Sequence, residues 1–185
     1  MTYTALLAQV AAWLNRTDLT AVIPDFVKLT EERINRNLRV RQMETALAST
    51  PIVSNVITPP AGTIDVKTMR VNDNNDLTVQ SYETALRMQS DAPATLWAWK
   101  GTDLYFNGSG DVSGVLYAQI PALETASTNW LSDLAPSAYL FGCLTEAALY
   151  TGGDAATWEG RFQAVLNDLQ STDKRYNGPL VARAR

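Results

Sequence analysis

The apolar residues of this chain change period twice, from helical spacing to strand-like spacing and back, and few folds accommodate that. Tyr3, Leu6, Leu7, Val10, Trp13 and Leu14 recur at i, i+3, i+4 and i+7. They predict one buried face of a helix from about Tyr3 to Asn15. Thr17 and Asp18 give a turn and a cap signal, and Pro24 suits the first position of a second helix because it has no N–H to lose. That helix runs to about Leu38, with Ile23, Phe26, Val27, Thr30, Ile34 and Leu38 inward. Glu32 and Arg36 form an outward i, i+4 pair in the favourable order.

From about residue 42 the pattern becomes short strands at Ile52–Ile57, Val66–Val71 and Leu77–Gln80, then a short helix over Tyr82–Gln89. Further strands are expected at Thr95–Lys100, Asp103–Phe106 and Val112–Ile120, with tight hairpin turns at Gly101-Thr102 and Asn107-Gly108. Helical spacing returns at Pro136, with Leu140, Leu144, Ala147 and Ala148 on one face. Gly152-Gly153 breaks that helix, and Asp154 caps a fourth whose Trp158, Phe162, Val165, Leu166 and Leu169 face inward. The expected fold is α+β: an antiparallel helical bundle of two N-terminal plus two C-terminal helices with a β-rich insertion. The expected boundaries are 1–41 and 130–176 for the bundle, 42–129 for the insertion and 177–185 for a C-terminal arm.

Among 185 residues there is no histidine and one cysteine, Cys143. Ser-His-Asp and Cys-His nucleophiles and histidine-containing zinc sites are therefore excluded, as is an internal disulfide. No apolar run approaches the ~20 residues that span a bilayer, and Ala5–Leu14 lacks the basic leader of a signal peptide. The net charge of −4 is unevenly spread. Residues 1–41 hold six basic and four acidic groups, 42–173 hold five and fifteen, and 174–185 hold four basic groups and no acid. An acidic body with a basic tail points to an interaction arm.

Candidate chemistry is thin. Glu31 and Glu32 are neighbours on a helix and point about 100° apart, so they do not face one reacting bond. Asn72, Asn74, Asp76 and Glu83 fall at positions 1, 3, 5 and 12 of a calcium loop, but Leu77 stands where glycine is needed. Gly108-Ser109-Gly110 has no following helix or lysine to cradle a phosphate. No metal or cofactor is expected. Trp97 and Trp99 share one strand face, with Tyr105 and Tyr117 on neighbouring strands that are apolar on both sides. Something must cover the second face, either the chain's own helices or a closed small barrel, or else a neighbouring subunit. Arg33, Arg36 and Arg39 line one helix side, as a solvated, subunit-pairing or phosphate-binding row.

The run Tyr3-Thr4-Ala5-Leu6-Leu7, then Val10-Ala11-Ala12-Trp13-Leu14-Asn15-Arg16-Thr17-Asp18-Leu19, carries a specific likeness. It continues through Ile23-Pro24-Asp25-Phe26-Val27, Glu31-Glu32-Arg33-Ile34-Asn35-Arg36 and Leu38-Arg39-Val40-Arg41-Gln42-Met43-Glu44. This stretch resembles the N-terminus of the head-to-tail adaptor family of short-tailed phages, related to tail tubular protein A. Trp130-Leu131, Ala135-Pro136, Tyr139-Leu140 and Trp158-Glu159 with Phe162 are more loosely similar to its closing helices. The resemblance implies a non-catalytic virion neck subunit, assembled in the host cytoplasm into a ring of usually twelve copies. Such a ring sits between portal and tail nozzle or tube and passes DNA. It also implies a portal-docking arm, here Lys174, Arg175, Leu180, Val181, Arg183 and Arg185. Subunit contacts would then draw on Arg33, Arg36, Arg39, Trp97, Trp99, Tyr105 and Tyr117. The rival readings are a virion-associated peptidoglycan-cleaving enzyme, a DNA-binding assembly factor, and another neck or tail protein with the same helical pairing.

Overall fold

The computed structural model describes residues 1–16, 18–73 and 75–177, apart from the side chains of 175–177. The first helices form where the spacing requires. Helix α1 (Tyr3–Leu14) is capped by the Thr2 hydroxyl, which accepts from the Ala5 N–H at 3.2 Å. Helix α2 (Ile23–Asn37) carries Pro24 in its first turn and buries Ile23, Phe26, Val27, Thr30 and Ile34. A 3-10 turn at Arg41–Met43 leads into the β region.

Eight strands follow among the described residues: β1 (Glu44–Pro51), β2 (Val56–Ile57), β3 (Thr63–Val71), β4 (Asn75–Asp76), β5 (Thr78–Val79), β6 (Leu96–Lys100), β7 (Asp103–Phe106) and β8 (Asp111–Ala118). Helix α3 (Tyr82–Arg87) lies between β5 and β6. The strands form two four-stranded sheets, ordered β1-β8-β3-β4 and β2-β7-β6-β5. Leu47, Met69, Val71, Val112 and Leu116 of the first share one core with Ile57, Trp97, Leu104 and Phe106 of the second. The sheets therefore close on each other as a small sandwich.

Strand β1 was not expected. Ala46, Ala48, Ser49 and Thr50 carry little hydrophobic signal because β1 is an edge strand, and Leu47 is its buried member. Of the strand expected at Ile52–Ile57, only Val56 and Ile57 form a strand, pairing with Tyr105 and Leu104, while Val53 makes an isolated bridge to Val56. Asn107-Gly108 is also not a hairpin turn, because β7 and β8 belong to different sheets.

The second helical stretch corrects the expected fold class. Two short helices, α4 (Leu123–Ala126) and α5 (Trp130–Leu134), precede α6 (Pro136–Thr151) and α7 (Ala156–Asn177). The described residues thus hold seven helices rather than a bundle of two plus two. The molecule is α+β and a β-rich insertion fits it, but the four-helix arrangement is not formed. Helix α6 is instead a hub that packs against α1, α2, α5 and α7. Ala138, Tyr139, Leu140, Cys143, Leu144, Ala147 and Ala148 are all buried, so α6 is apolar around its circumference and is wrapped rather than faced. Gly142 is what lets α2 come close. A Cβ there would stand 2.3 Å from Thr30 Cγ2 and 3.2 Å from Phe162 Cε2.

The chain divides into two compact units, Met43–Gln119 and the remainder formed by Met1–Gln42 with the chain from Ile120 onward. The return into the helical unit is pinned by polar contacts. Asn35 Oδ1 accepts from the Ile120 N–H at 2.9 Å, Glu31 accepts from the Leu123 N–H at 2.8 Å, and Tyr3 N–H donates to the Ser127 carbonyl at 2.8 Å. Asn129 caps α5 and also donates to the Tyr139 hydroxyl at 2.8 Å. Burial pushes that phenol well above its usual range.

Candidate functional site

Arg33 is the strongest charged node of the helical unit. Its guanidinium donates to Glu146 at 2.8 Å and Glu159 at 2.6 Å, and it lies 4.9 Å from the centre of the Phe162 ring. One α2 side chain thereby ties α6 to α7. Burial alone would raise the Glu159 carboxyl, but hydrogen bonds from Arg33 and Gln163 outweigh it and hold that carboxyl low. Arg36 pairs with Glu32 on the exposed side, and Arg39 donates to the Asn35 and Leu38 carbonyls at 2.7 Å. The three arginines thus have distinct local partners.

Those contacts bear on catalysis too. Glu32 is engaged by Arg36 and Glu31 by the Leu123 N–H, so the two carboxylates serve separate partners. Burial raises the Glu31 carboxyl above its usual range, and the Leu123 N–H only partly offsets this. Cys143 is buried against Thr30, and burial pushes its thiol up to about 12, where it is a poor nucleophile. Of the calcium-loop residues, Asn72 accepts from the Asp111 N–H and Asp76 pairs with Arg70, while Asn74 lies outside the described residues. No group of three His, Cys, Asp or Glu able to hold a metal occurs among the described residues. A Cβ at Gly108 would meet the Ala92 carbonyl oxygen at 2.4 Å, so this glycine serves a close backbone crossing.

The aromatic residues of the β unit have neighbours on both faces. Register pairs Trp97 with Phe106 and Trp99 with Leu104 on the sandwich side, and Ala98 with Tyr105 on the other. Trp97 packs in the core with Trp99 against it, their rings 6.1 Å apart. Tyr105 lies under α3, its ring 5.1 Å from that of Tyr82 at 87°. The cover follows from topology. Strands β5 and β6 are parallel neighbours, which requires a crossover, and α3 is the helix in it. Tyr117 is half-buried on β8.

Asn107 was missed as a determinant. Its buried side chain accepts from the Thr95 and Leu96 N–H groups at 2.9 Å and donates to the Met88 carbonyl and the Thr95 hydroxyl. Only its place beside a turn glycine was visible in the sequence.

A groove of about 560 Å³ lies in the helical unit. Val40–Gln42, Trp130, the Leu134–Ser137 turn and the α7 face from Ala164 to Asp173 line it. Leu134 is 59% exposed at its edge, Asp168 is exposed, and Asp173 accepts from the Arg41 N–H at 3.1 Å. Lys174 follows as an exposed residue of α7. Arg175 belongs to α7, and its side chain lies outside the described residues, as do Leu180, Val181, Arg183 and Arg185. No described helix is long and apolar enough to cross a membrane.

No curated protein matches the chain. The family described as SU10 adaptor protein matches residues 1–183, covering both compact units. With that span matched, the chain belongs to the SU10 adaptor protein family, a family of phage head-to-tail adaptors.

Proposed function

We propose that the chain is a non-catalytic subunit of a twelve-membered ring set between portal and tail, whose channel passes DNA. The family match over residues 1–183 carries this reading. Two physical features support it. The span 42–173 holds fifteen acidic against five basic groups, a balance that repels phosphates and suits a lumen through which DNA must slide. The exposed Arg36, with half-buried Arg39 and Tyr117, keeps surface that a neighbouring copy can use. The arm from Lys174 onward, carrying Arg175, Leu180, Val181, Arg183 and Arg185, anchors the ring on the portal.

The test is to mix the purified chain with purified portal and image the complex by electron microscopy. Rings capping the portal are expected. A chain lacking residues 174–185 should lose portal binding, and unchanged binding would remove the arm as anchor. Failure to form a ring on any portal or tail partner would remove the reading altogether.

A further inference from the structure

Helix α1 differs from its neighbours in what it shows to solvent. From Tyr3 to Leu14 it contains no Asp, Glu, Lys or Arg, yet only Leu6 and Val10 are buried. Its outer arc is Ala5, Ala8, Gln9 and Ala12, all exposed, with Trp13 48% exposed at the edge. By contrast, α2 presents Asp25, Lys28, Glu32 and Arg36 to solvent, and α7 presents Arg161 and Asp168. An exposed face depleted of charge and carrying a tryptophan has the composition of an interface core. We propose that this α1 face docks on a second copy of the chain, in the hollow between α2 and the first turn of α7, joining neighbours head to tail. The proposal deepens the ring reading above and rests on it.

The hollow holds about 400 Å³ and is lined by Leu149, Ala155 and Ala156 together with Arg33, Glu146 and Glu159. Leu149 is 63% exposed there. The ions of the hollow already satisfy one another, since Arg33 bridges Glu146 and Glu159. An incoming face with charges of its own would compete for that bridge, and α1 brings none. The two faces are also placed for closure. Ala155, Ala156 and Glu159 line the hollow, while Trp158 beside them meets Trp13 with ring centroids 5.7 Å apart. Ala156 and Trp158 stand two positions apart, about 200° around the helix, so the hollow and α1 flank one turn of α7 from opposite sides. Joining opposite flanks at one height relates each copy to the next by rotation with little rise along α7. A heterologous contact without rise can close into a ring, whereas one with rise winds into a filament.

The test places Ala12→Cys and Leu149→Cys together in the full chain, assembles it on portal and oxidises it mildly. Both sites are exposed, and Cys143 is buried and does not compete. The expected product is a ladder of covalent oligomers beyond the dimer, while either single variant stays monomeric. Rings that yield only monomers, or dimers from Ala12→Cys alone, overturn the α1 contact and leave the ring reading standing. If the parent chain forms no ring on portal, both fall. Ala8→Glu gives an independent measurement, because it sets a charge on the exposed arc without touching the helical core. It should abolish rings at an unchanged thermal midpoint, and undiminished rings overturn the proposal.

Discussion

The two compact units solve the same problem, covering apolar surface, by opposite means. In the helical unit one central helix is apolar all round, and its neighbours are tied over it by charged side chains such as Arg33. In the β unit the apolar surface is two-sided, and the second sheet and α3 each cover one side with few ions in the core. The difference implies that the β unit depends on aromatic volume, whereas the helical unit depends on close approach and ion geometry. Four substitutions test this, in falling order of expected effect.

Phe106→Ala should cost about 3–5 kcal/mol, because a fully buried ring at the centre of the sandwich leaves a cavity that its neighbours cannot close. Amide hydrogen exchange should show the loss of protection concentrated in residues 43–119. An equal loss in both units would show that they unfold as one and would break the comparison.

Gly142→Ala should cost about 1–3 kcal/mol by overpacking, read as a lower denaturant midpoint. The added methyl group meets Thr30 on α2, whose hydroxyl already bonds to the Phe26 carbonyl at 2.8 Å and so holds its rotamer. A neutral result would mean that α2 can move off α6 freely.

How much of this could be read from sequence follows the same division. Helices α1, α2 and α7 were legible because each shows apolar side chains at one period. Helix α6 was seen but misjudged: Leu140, Leu144, Ala147 and Ala148 mark one face, while Gly142 and Cys143 are too small to advertise burial on the other. That misreading produced the two-plus-two bundle. Helices α4 and α5 were missed because they have no room for a period, although Asn129 with Ser132 forms a capping box. In the β unit, apolar residues on both strand faces at Trp97, Trp99, Leu104 and Tyr105 demanded two covers. Which elements supplied them depended on strand order, which no local pattern reports. Asn107 was opaque for the same reason, since its partners at Met88, Thr95 and Leu96 are set by tertiary packing. Of the candidate surfaces, the charge of residues 174–185 was visible, whereas the groove required α5, α6, α7 and Val40–Gln42 to be brought together.

Arg33→Met should cost about 1.5–3 kcal/mol, the range for hydrogen bonds to charged groups, and should also change how stability responds to acid. Because the Glu159 carboxyl is held low in the folded chain, its contribution is present above the ordinary carboxylate range and is lost as pH falls through the lowered value. Without Arg33 that acid-side loss should flatten. A variant whose acid unfolding profile parallels that of the parent would show that the Arg33–Glu159 contact contributes little in solution.

Glu31→Gln sharpens the comparison most finely, because the same unit holds a carboxylate with the opposite shift. Glu31 is raised by burial, so the unfolded chain ionises first as pH rises, and stability falls between the ordinary carboxylate range and the raised value. Below that window both states are protonated, and above it the penalty is constant. Glutamine keeps an oxygen for the Leu123 N–H and has no charge to desolvate. The variant should therefore match the parent at low pH and gain on it through this window, read as a rising difference in thermal midpoint. A difference that shrinks with pH would mean that the ionised carboxylate gains more from the Leu123 N–H than burial costs it. The pinning of the return segment would then be electrostatic, as the Arg33 node is, rather than a hydrogen bond kept despite burial.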